Sequence, residues 1–432
     1  MKPRILLINP WIHDFAAFNL WACPLGLLEV AEFLSAYAID IVYVDCMDSF
    51  DSGPYGTGKY HSERIPKPAL LKDVPRYFKR YGMSVGAFTH ALARALPADI
   101  VLMTSVMSYW YPGVQETIRL VKNAAPNTPI ILGGIYPTLY PEHAALQSGA
   151  DRIYAGQVND GLVRLLEAFG LTLHPIHANR ERAKPVLSKE HSFAPLLTSK
   201  GCPFRCSYCA SNLLAPQFER KTADDVISDI QGLRMQGVQD FAFYDDALLY
   251  QADGHIKPLL RSIIDGRIGA RFHAPNGLHA RFIDDDLADL MKKAGFITIR
   301  LSLETINDAR QRKTGGKVTQ HDFDKAAQAL FNAGFLKKHV GAYIMYGLPG
   351  QTLEEVEQGI DFLMSRGVQI HLAEFSPIRG TASWDELVQE NIIPPDLDPI
   401  LTNNTVYSFL YSGYDPARVE RIKMRVKEYN RQ

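Results

Sequence analysis

The segment Gly201-Cys202-Pro203-Phe204-Arg205-Cys206-Ser207-Tyr208-Cys209 gathers three of the chain's five cysteines into one short loop. A disulfide framework spreads cysteines along a chain, so this clustering points to a metal site in a reducing compartment. The spacing C-x3-C-x2-C aims three thiols at one centre. Each must lose its proton to ligate, which bound iron or zinc brings about. A structural zinc ion takes four ligands, and the sequence holds no second cysteine pair to supply them. On a [4Fe–4S] cube, three thiolates leave one iron open to a substrate or cosubstrate. Cys23 and Cys46 stand apart and read as small apolar residues with no assigned role. His13, beside Asp14, reads as a structural histidine.

Such a loop needs a scaffold that presents it. From residue 193 the pattern alternates short apolar runs with helical periodicity. Strands are expected at Leu196–Thr198, Asp240–Tyr244, Arg271–Ala274, Ile297–Leu303, Val340–Met345 and Gln369–Phe375. Helices are expected at Ala223–Met235, Ile256–Ile264, Asp286–Lys293, Asp322–Ala333 and Leu353–Met364. Six strands fall short of the eight of a closed barrel, so an open, three-quarter barrel is predicted. Active groups of such folds sit at the carboxyl ends of the strands. The cysteines, Asp245-Asp246, Ser302, Glu304 and Gly347 all lie there.

The first 170 residues show the same alternation. Strands are expected at Ile5–Ile8, Ile39–Val44, Asp99–Ser105, Pro129–Leu132 and Arg152–Ala155, with helices at Leu25–Tyr37, Val114–Ala124 and Leu162–Phe169. Wholly apolar strands imply burial on both faces, hence a doubly wound parallel sheet. Residues 47–96 break the rhythm and read as a long excursion. The expected organisation is α/β: a Rossmann-like doubly wound parallel sheet over 1–170, a linker over 171–192, a partial (β/α)6 barrel over 193–390, and an extension over 391–432. The extension ends in a helix near Pro416–Tyr429, with Val419, Ile422, Val426 and Tyr429 as its apolar stripe and basic residues on a solvated face.

The cysteine loop resembles the signature of the radical S-adenosylmethionine (SAM) superfamily, and the likeness extends over roughly Phe193–Gly380. The resemblance implies a [4Fe–4S] cluster on Cys202, Cys206 and Cys209, with SAM chelating the open iron. One-electron cleavage of SAM then yields methionine and a 5′-deoxyadenosyl radical that abstracts hydrogen from substrate. An external reductant of the flavodoxin or ferredoxin type is implied as well. By the same resemblance Tyr208 lies against adenine, unless it merely packs under the loop. Asp245 and Asp246 take the place of the family's commoner Gly-Gly-Glu as ligands to the SAM amino group, unless they are a helix N-terminal charge pair. Ser302 and Glu304 contact ribose and carboxylate, Arg310 or Arg312 pairs with that carboxylate, and Gly347, in Gly347-Leu348-Pro349-Gly350, lets backbone approach adenine.

The N-terminal part resembles the cobalamin-binding domain that precedes many radical SAM modules. The matching residues are Asn9-Pro10, Pro24-Leu25-Gly26-Leu27, Ser105-Val106-Met107 and Gly133-Gly134-Ile135-Tyr136-Pro137-Thr138. The resemblance assigns Asn9, Pro10, Ser105, Met107, Gly133, Gly134, Tyr136 and Thr138 to the cobalamin cradle. Two departures stand out. The Asp-x-His-x-x-Gly motif that places a histidine on cobalt is absent, and Met107 replaces the leucine of Ser-x-Leu. Tyr109-Trp110-Tyr111 either walls a corrin ring or is core.

The expected function is a radical SAM enzyme, and within that class a cobalamin-dependent methyltransferase acting on an unactivated carbon of a small molecule or peptide. The alternatives are radical chemistry without methyl transfer, with an N-terminal domain that binds substrate or has lost its cofactor, and a noncatalytic cobalamin or iron–sulfur sensor. With 47% hydrophobic and 22% charged residues and a net charge of −1, the chain reads as globular, and nothing in its charge suggests a nucleic-acid partner. No apolar run reaches the length of a membrane span, and the N-terminus lacks a signal-peptide pattern, so the cytoplasm is the expected location.

Overall fold

The computed structural model describes residues 2–176 and 192–432. The chain divides into two compact units: Met1–His191 with Asp398–Thr402, and Ser192–Leu397 with Asn403–Gln432. Most of the expected linker, residues 177–191, lies outside the described residues.

In the first unit five strands, β1 (Arg4–Asn9), β2 (Asp40–Asp45), β3 (Ile100–Met103), β4 (Ile130–Leu132) and β5 (Arg152–Ile153), form one sheet in the order β5-β4-β3-β1-β2. Among the described residues, every pairing within it is parallel. The alternation of side chains along each strand explains the uninterrupted apolar runs. Leu6 and Ile8 join Phe88, Leu92, Val114 and Ile118 in the core on one face. Ile5 and Leu7 join Leu27, Leu34, Leu162 and Leu166 on the other. The strand order reverses between β1 and β3. In open α/β sheets the crevice beyond that reversal is where ligands bind.

The excursion over 47–96 is more regular than its sequence suggested. Ile12–Asp14, Ser62–Arg64 and Lys79–Tyr81 make a small antiparallel sheet, and Phe50–Ser52 pairs with Gly58–Tyr60. Its last part, Val85–Ala95, is the crossover helix between β2 and β3. Ser84 caps that helix by accepting from the amide of Ala87, and Phe88, Leu92 and Ala95 are its buried stripe.

Among the described residues, the main sheet of the second unit has six strands: β6 (Phe193–Leu196), β7 (Asp240–Phe243), β8 (Arg271–His279), β9 (Phe296–Glu304), β10 (Val340–Tyr346) and β11 (Gln369–Glu374). They lie side by side in chain order, each parallel to the next. This is the open (β/α)6 arrangement. Stacked aromatics line the outer side of its first strands, with Phe243 and Phe296 rings 5.6 Å apart and nearly coplanar in orientation. Four of the intervening helices start on side-chain caps, at Thr222, Asp284, Thr319 and Thr352. Strand β8 runs five residues past its expected end, through a bulge at Pro275–Gly277 that absorbs the proline's missing donor.

The last helix, Pro416–Arg431, buries Val419, Ile422 and Val426 as expected. Its basic residues, however, are not a purely solvated face. Arg418 pairs with Glu354 and Glu357, Arg425 with Asp361, and Lys423 with Glu374. These pairs fasten the helix to the outside of the barrel.

Candidate active site at the barrel mouth

The cysteine loop leaves β6 through the short strand Ser199–Lys200 and ends at the helix Ser211–Leu214. Gly201 sits at φ +78°, and a Cβ there would fall 2.4 Å from the carbonyl oxygen of Gln217, so only glycine opens the loop this way. Phe204 anchors its centre by stacking on His279 at 4.4 Å. Cys202, Cys206 and Cys209 are all unoxidised and partly accessible. Among the described residues no three His, Cys, Asp or Glu side chains close on a single metal ion. A four-iron cube holds its thiolates farther apart than one ion does, so the donor set remains suited to a cluster.

A second loop lies against the first. Gly315, at φ +118°, passes so close that its Cβ would stand 3.1 Å from the Cα of Cys206. The next turn carries Lys317, which sequence reasoning missed. Its ammonium lies 3.2 Å from Glu304 Oε1, with side-chain exposures of 17% and 11%. Burial opposes the charge on Lys317, but Glu304 and the thiols of Cys206 and Cys209 hold its pKa above the ordinary value. In return Lys317 favours the thiolates. Burial still pushes Cys202 up, and burial together with Glu304 pushes Cys206 to about 11, so a bound metal must supply the rest of the drive to deprotonate.

Glu304 ends β9 in a left-handed conformation, φ +67°, next to a register shift against β10. That twist turns its carboxylate toward both Lys317 and the Tyr208 hydroxyl, which donates to it. Tyr208 is held far above its usual pKa by burial and by Glu304, so it stays a neutral donor. Cys206, Tyr208, Glu304 and Lys317 therefore form one connected group.

The two aspartates after β7 do different work. Asp246 is accessible beside the loop, but desolvation of its carboxyl raises its pKa, only partly offset by Ser211 and Lys317. Asp245 points inward. Its Oδ1 accepts from the amides of Thr198 and Ser199 at 3.0 and 2.6 Å and from both hydroxyls at 2.7 and 2.6 Å. His255 completes this knot at 2.8 Å from the Thr198 hydroxyl. Burial pushes Asp245 up to about 6 despite those donors, and its Oδ2 is buried with no hydrogen-bond partner among the described residues. Asp245 thus pins the root of the cysteine loop and presents one unsatisfied oxygen.

The remaining expected residues lie elsewhere along the mouth. Ser302 is buried against Gly277, whose Cβ would clash with its hydroxyl at 2.2 Å. Gly347 adopts φ +93° and passes near Phe375 and Tyr407. Arg310 is occupied: it pairs with Glu355 at 2.8 Å and donates to the carbonyls of Pro349 and Gly350 at 2.6 and 2.8 Å, fixing the turn that follows Gly347. Arg312 is exposed on the helix Asp308–Lys313.

In the first unit the expected cradle residues cluster at the carboxyl end of the sheet. Gly134 has φ +97°, and a Cβ there would meet the Ser105 carbonyl at 2.5 Å. Thr138 bridges this turn, donating to the Gly134 carbonyl at 2.8 Å and accepting from the Gly156 amide at 3.1 Å. Val106 and Met107 are exposed at 37% and 38% just beyond β3, and Gly133 and Gly134 are accessible beside them. This bare apolar surface beside close-packed glycines fits a large flat ligand such as a corrin. Asn9, Pro10, Ser105 and Tyr136 are buried. Asn9 donates to Asp45 at 2.7 Å, and the Tyr136 hydroxyl lies 2.6 Å from His143. Trp110 donates to Asp14 at 2.6 Å and Tyr111 stacks on Tyr136, so both serve the unit's own packing. His13 faces Glu116 at 3.0 Å, and Glu116 also binds Arg80, a structural network.

Comparison with known proteins agrees with both halves. Residues 196–363 match the Radical SAM superfamily and residues 83–166 the B12 binding domain. Cytidylyl-2-hydroxyethylphosphonate methyltransferase of Streptomyces wedmorensis is 20% identical, the match covering 91% of this chain and 83% of the relative. The radical SAM methyltransferase TsrM of Kitasatospora setae, solved with tryptophan and a SAM analogue, superposes with a TM-score of 0.67 at 16% identity over 90% of this chain and 76% of that one. The cobalamin-dependent SAM radical enzyme OxsB gives 0.53 at 13% identity, over 99% of this chain and 62% of that one. At such identities the structural likeness is one of fold.

Proposed function

We propose, from the premise that this chain carries a radical SAM domain behind a B12-binding domain, that it is a cobalamin-dependent radical SAM methyltransferase acting on an unactivated carbon. The observation that carries the reading is the convergence of Cys202, Cys206 and Cys209 with Lys317, Glu304 and Tyr208 at the carboxyl end of an open barrel. Bound together, the cluster, SAM and cobalamin supply one-electron cleavage of SAM and a transferable methyl group. The chain's own residues do the rest. The three cysteines hold the cluster, and Lys317 lowers the cost of their negative charge. Asp245 fixes the loop root and, with Asp246, suits an ammonium ligand through its unpartnered oxygen. Ser302, Glu304, Tyr208 and Gly347 flank the same mouth and are assigned to the nucleoside and amino-acid ends of SAM, with Arg312 as a further cation for its carboxylate. Met107, Gly133, Gly134 and Thr138 would bear cobalamin directly, while Asn9, Pro10, Ser105 and Tyr136 support them from beneath.

Among the described residues no helix is long and apolar enough to cross a membrane. Free thiols in a cluster loop favour a reducing compartment, which supports a cytoplasmic location, and one-electron cleavage calls for an external reductant of the flavodoxin or ferredoxin type. Two relatives are named for methylation of a cytidylyl phosphonate and of tryptophan, so these two compounds are the first acceptors to try. The test is anaerobic reconstitution followed by turnover with methyl-deuterated SAM. Bound iron, sulfide and corrinoid, formation of 5′-deoxyadenosine, and label in a methylated product support the reading. Loss of all SAM cleavage in Cys206→Ser is expected. Deoxyadenosine without labelled product, from protein free of corrinoid, would replace methyl transfer by another radical reaction.

A further inference from the structure

Below the mouth, the inside of the barrel carries a second polar group. Along β10, Ile344 packs outward on the helix Leu353–Ser365, where a Cβ on Gly359 would stand 3.0 Å from it. Gly341 and Tyr343, at odd spacings from Ile344, therefore face inward. A Cβ on Gly341 would fall 2.7 Å from His371 Nε2 of β11 and 3.1 Å from Arg300 Cδ of β9. The missing side chain is what allows Arg300 and His371 to approach each other across β10. Tyr343 flanks them, its ring centroid 5.6 Å from that of His371 and its hydroxyl donating to the Pro275 carbonyl at 2.7 Å.

Arg300 is an unusual occupant of that space. Its guanidinium donates to the carbonyls of Ile299 and His339 at 3.1 and 3.4 Å, and among the described residues no carboxylate pairs with it. Asp240, on the neighbouring inner wall, is already held by Arg271 through both oxygens at 2.6 Å and by His273 at 3.1 Å. His371 Nε2 is buried and has no hydrogen-bond partner among the described residues. Burial and then Arg300 pull His371 down to about 3, so its neutral ring offers one N–H. A buried cation without a counter-charge is costly, and the cost persists where an anion completes it. Arg300, Tyr343 and His371 are all partly accessible.

We propose that Arg300 and His371, spaced by Gly341 and flanked by Tyr343, form a subsite for the anionic end of the substrate, a carboxylate or a phosphoryl or phosphonyl group. The assignment of this ligand as substrate rests on the methyltransferase reading. Arg300 lies four residues below Glu304 on β9, roughly 13 Å along the strand. A substrate anchored there reaches the mouth with its reacting carbon on the order of 10 Å from its charge.

The test titrates the full chain, before cluster reconstitution, with acetate, inorganic phosphate and methylphosphonate by calorimetry. Saturable binding of at least one is expected, and the preferred anion distinguishes carboxylate from phosphoryl chemistry. Arg300→Gln should weaken it by about tenfold or more, as loss of a charge-assisted hydrogen bond does. Gly341→Ala, which crowds both side chains, and His371→Phe should weaken it too, and they carry the test if Arg300→Gln does not fold. Absence of anion binding in the wild type, or wild-type binding in the folded variants, overturns the subsite. Deoxyadenosine formation in reconstituted protein is scored separately. Anion binding at Arg300 without SAM cleavage would sink the enzyme reading and leave the subsite standing; SAM cleavage without anion binding would do the reverse.

Discussion

Replacing Lys317 by methionine removes the cation shared by Glu304 and the cysteine loop, and the structure sets the size of the effect. Both partners of the pair are largely buried, with 17% and 11% of their side chains exposed. Removing one partner of a buried pair costs about 3–5 kcal/mol, because the other charge is left uncompensated. Glu304 keeps the hydrogen bond from Tyr208, which places the loss near the lower end, about 3 kcal/mol. Replacing Glu304 by glutamine in the same chain removes the stranded charge. The double variant should therefore lose only about 1 kcal/mol, less than Lys317→Met alone and well short of the sum of the two single losses. The assay is pulse-labelled hydrogen exchange at increasing urea, read on peptides from β9, because a chain of two units need not unfold in one step. A second readout follows from the thiols. Lys317 holds Cys206 down toward about 11, so its loss should slow alkylation of Cys206 in the metal-free protein at pH 9. If Lys317→Met is as stable as wild type, if the two changes simply add, or if Cys206 alkylates at an unchanged rate, the linkage inferred for these residues is wrong.

Asp245 titrates at about 6 in the fold against 3.8 ordinarily, since burial favours its protonated form. Its contribution is full below pH about 4 and is lost as the pH rises through about 6, a decline of about 3 kcal/mol. Asp245→Asn should flatten that part of the barrel's stability profile between pH 4 and 8, and an unchanged slope would contradict the assignment. Gly315→Ala should strain a position at φ +118° and push on Cys206, lowering iron per chain after reconstitution with little change in circular dichroism. Wild-type iron content would show that the second loop does not shape the first. Gly134→Ala should destabilise the N-terminal sheet by about 2–3 kcal/mol and cost the protein its corrinoid absorbance while leaving iron binding intact. Full corrinoid retention would remove Gly134 from the cradle.

Much of the fold was legible because the strands bury both faces. Ile5–Ile8 and Ile100–Met103 carry no polar residue, and the sheet they form is apolar on both sides. The crossover helix Val85–Ala95 was hidden by the irregular chain before it, although Ser84, Phe88, Leu92 and Ala95 spell a capped stripe. The cysteines announced themselves by spacing alone. Lys317 did not, because it sits in a Gly-Gly-Lys turn whose importance depends on what that turn is pressed against. Arg300, Ser302 and Glu304 occupy alternate positions of β9, and their period marks the inner face. Only the last two drew attention, since a strand's carboxyl end is where function is sought. The different tasks of Asp245 and Asp246 are set by which way each side chain turns, which no spacing reveals.

The assignment of Asp398–Thr402 to the first unit has a consequence for how the protein is made. Asp398 meets the Tyr111 hydroxyl at 3.4 Å and lies 3.6 Å from His143, finishing a polar cluster whose other members were synthesised long before it. At ~5–20 residues per second, the ribosome needs on the order of ten to forty seconds to travel from the end of β5 and its following helix to that aspartate. During that interval the nascent sheet must remain soluble with one corner unfinished, and a ribosome that stalls in the barrel leaves that corner unfinished for good.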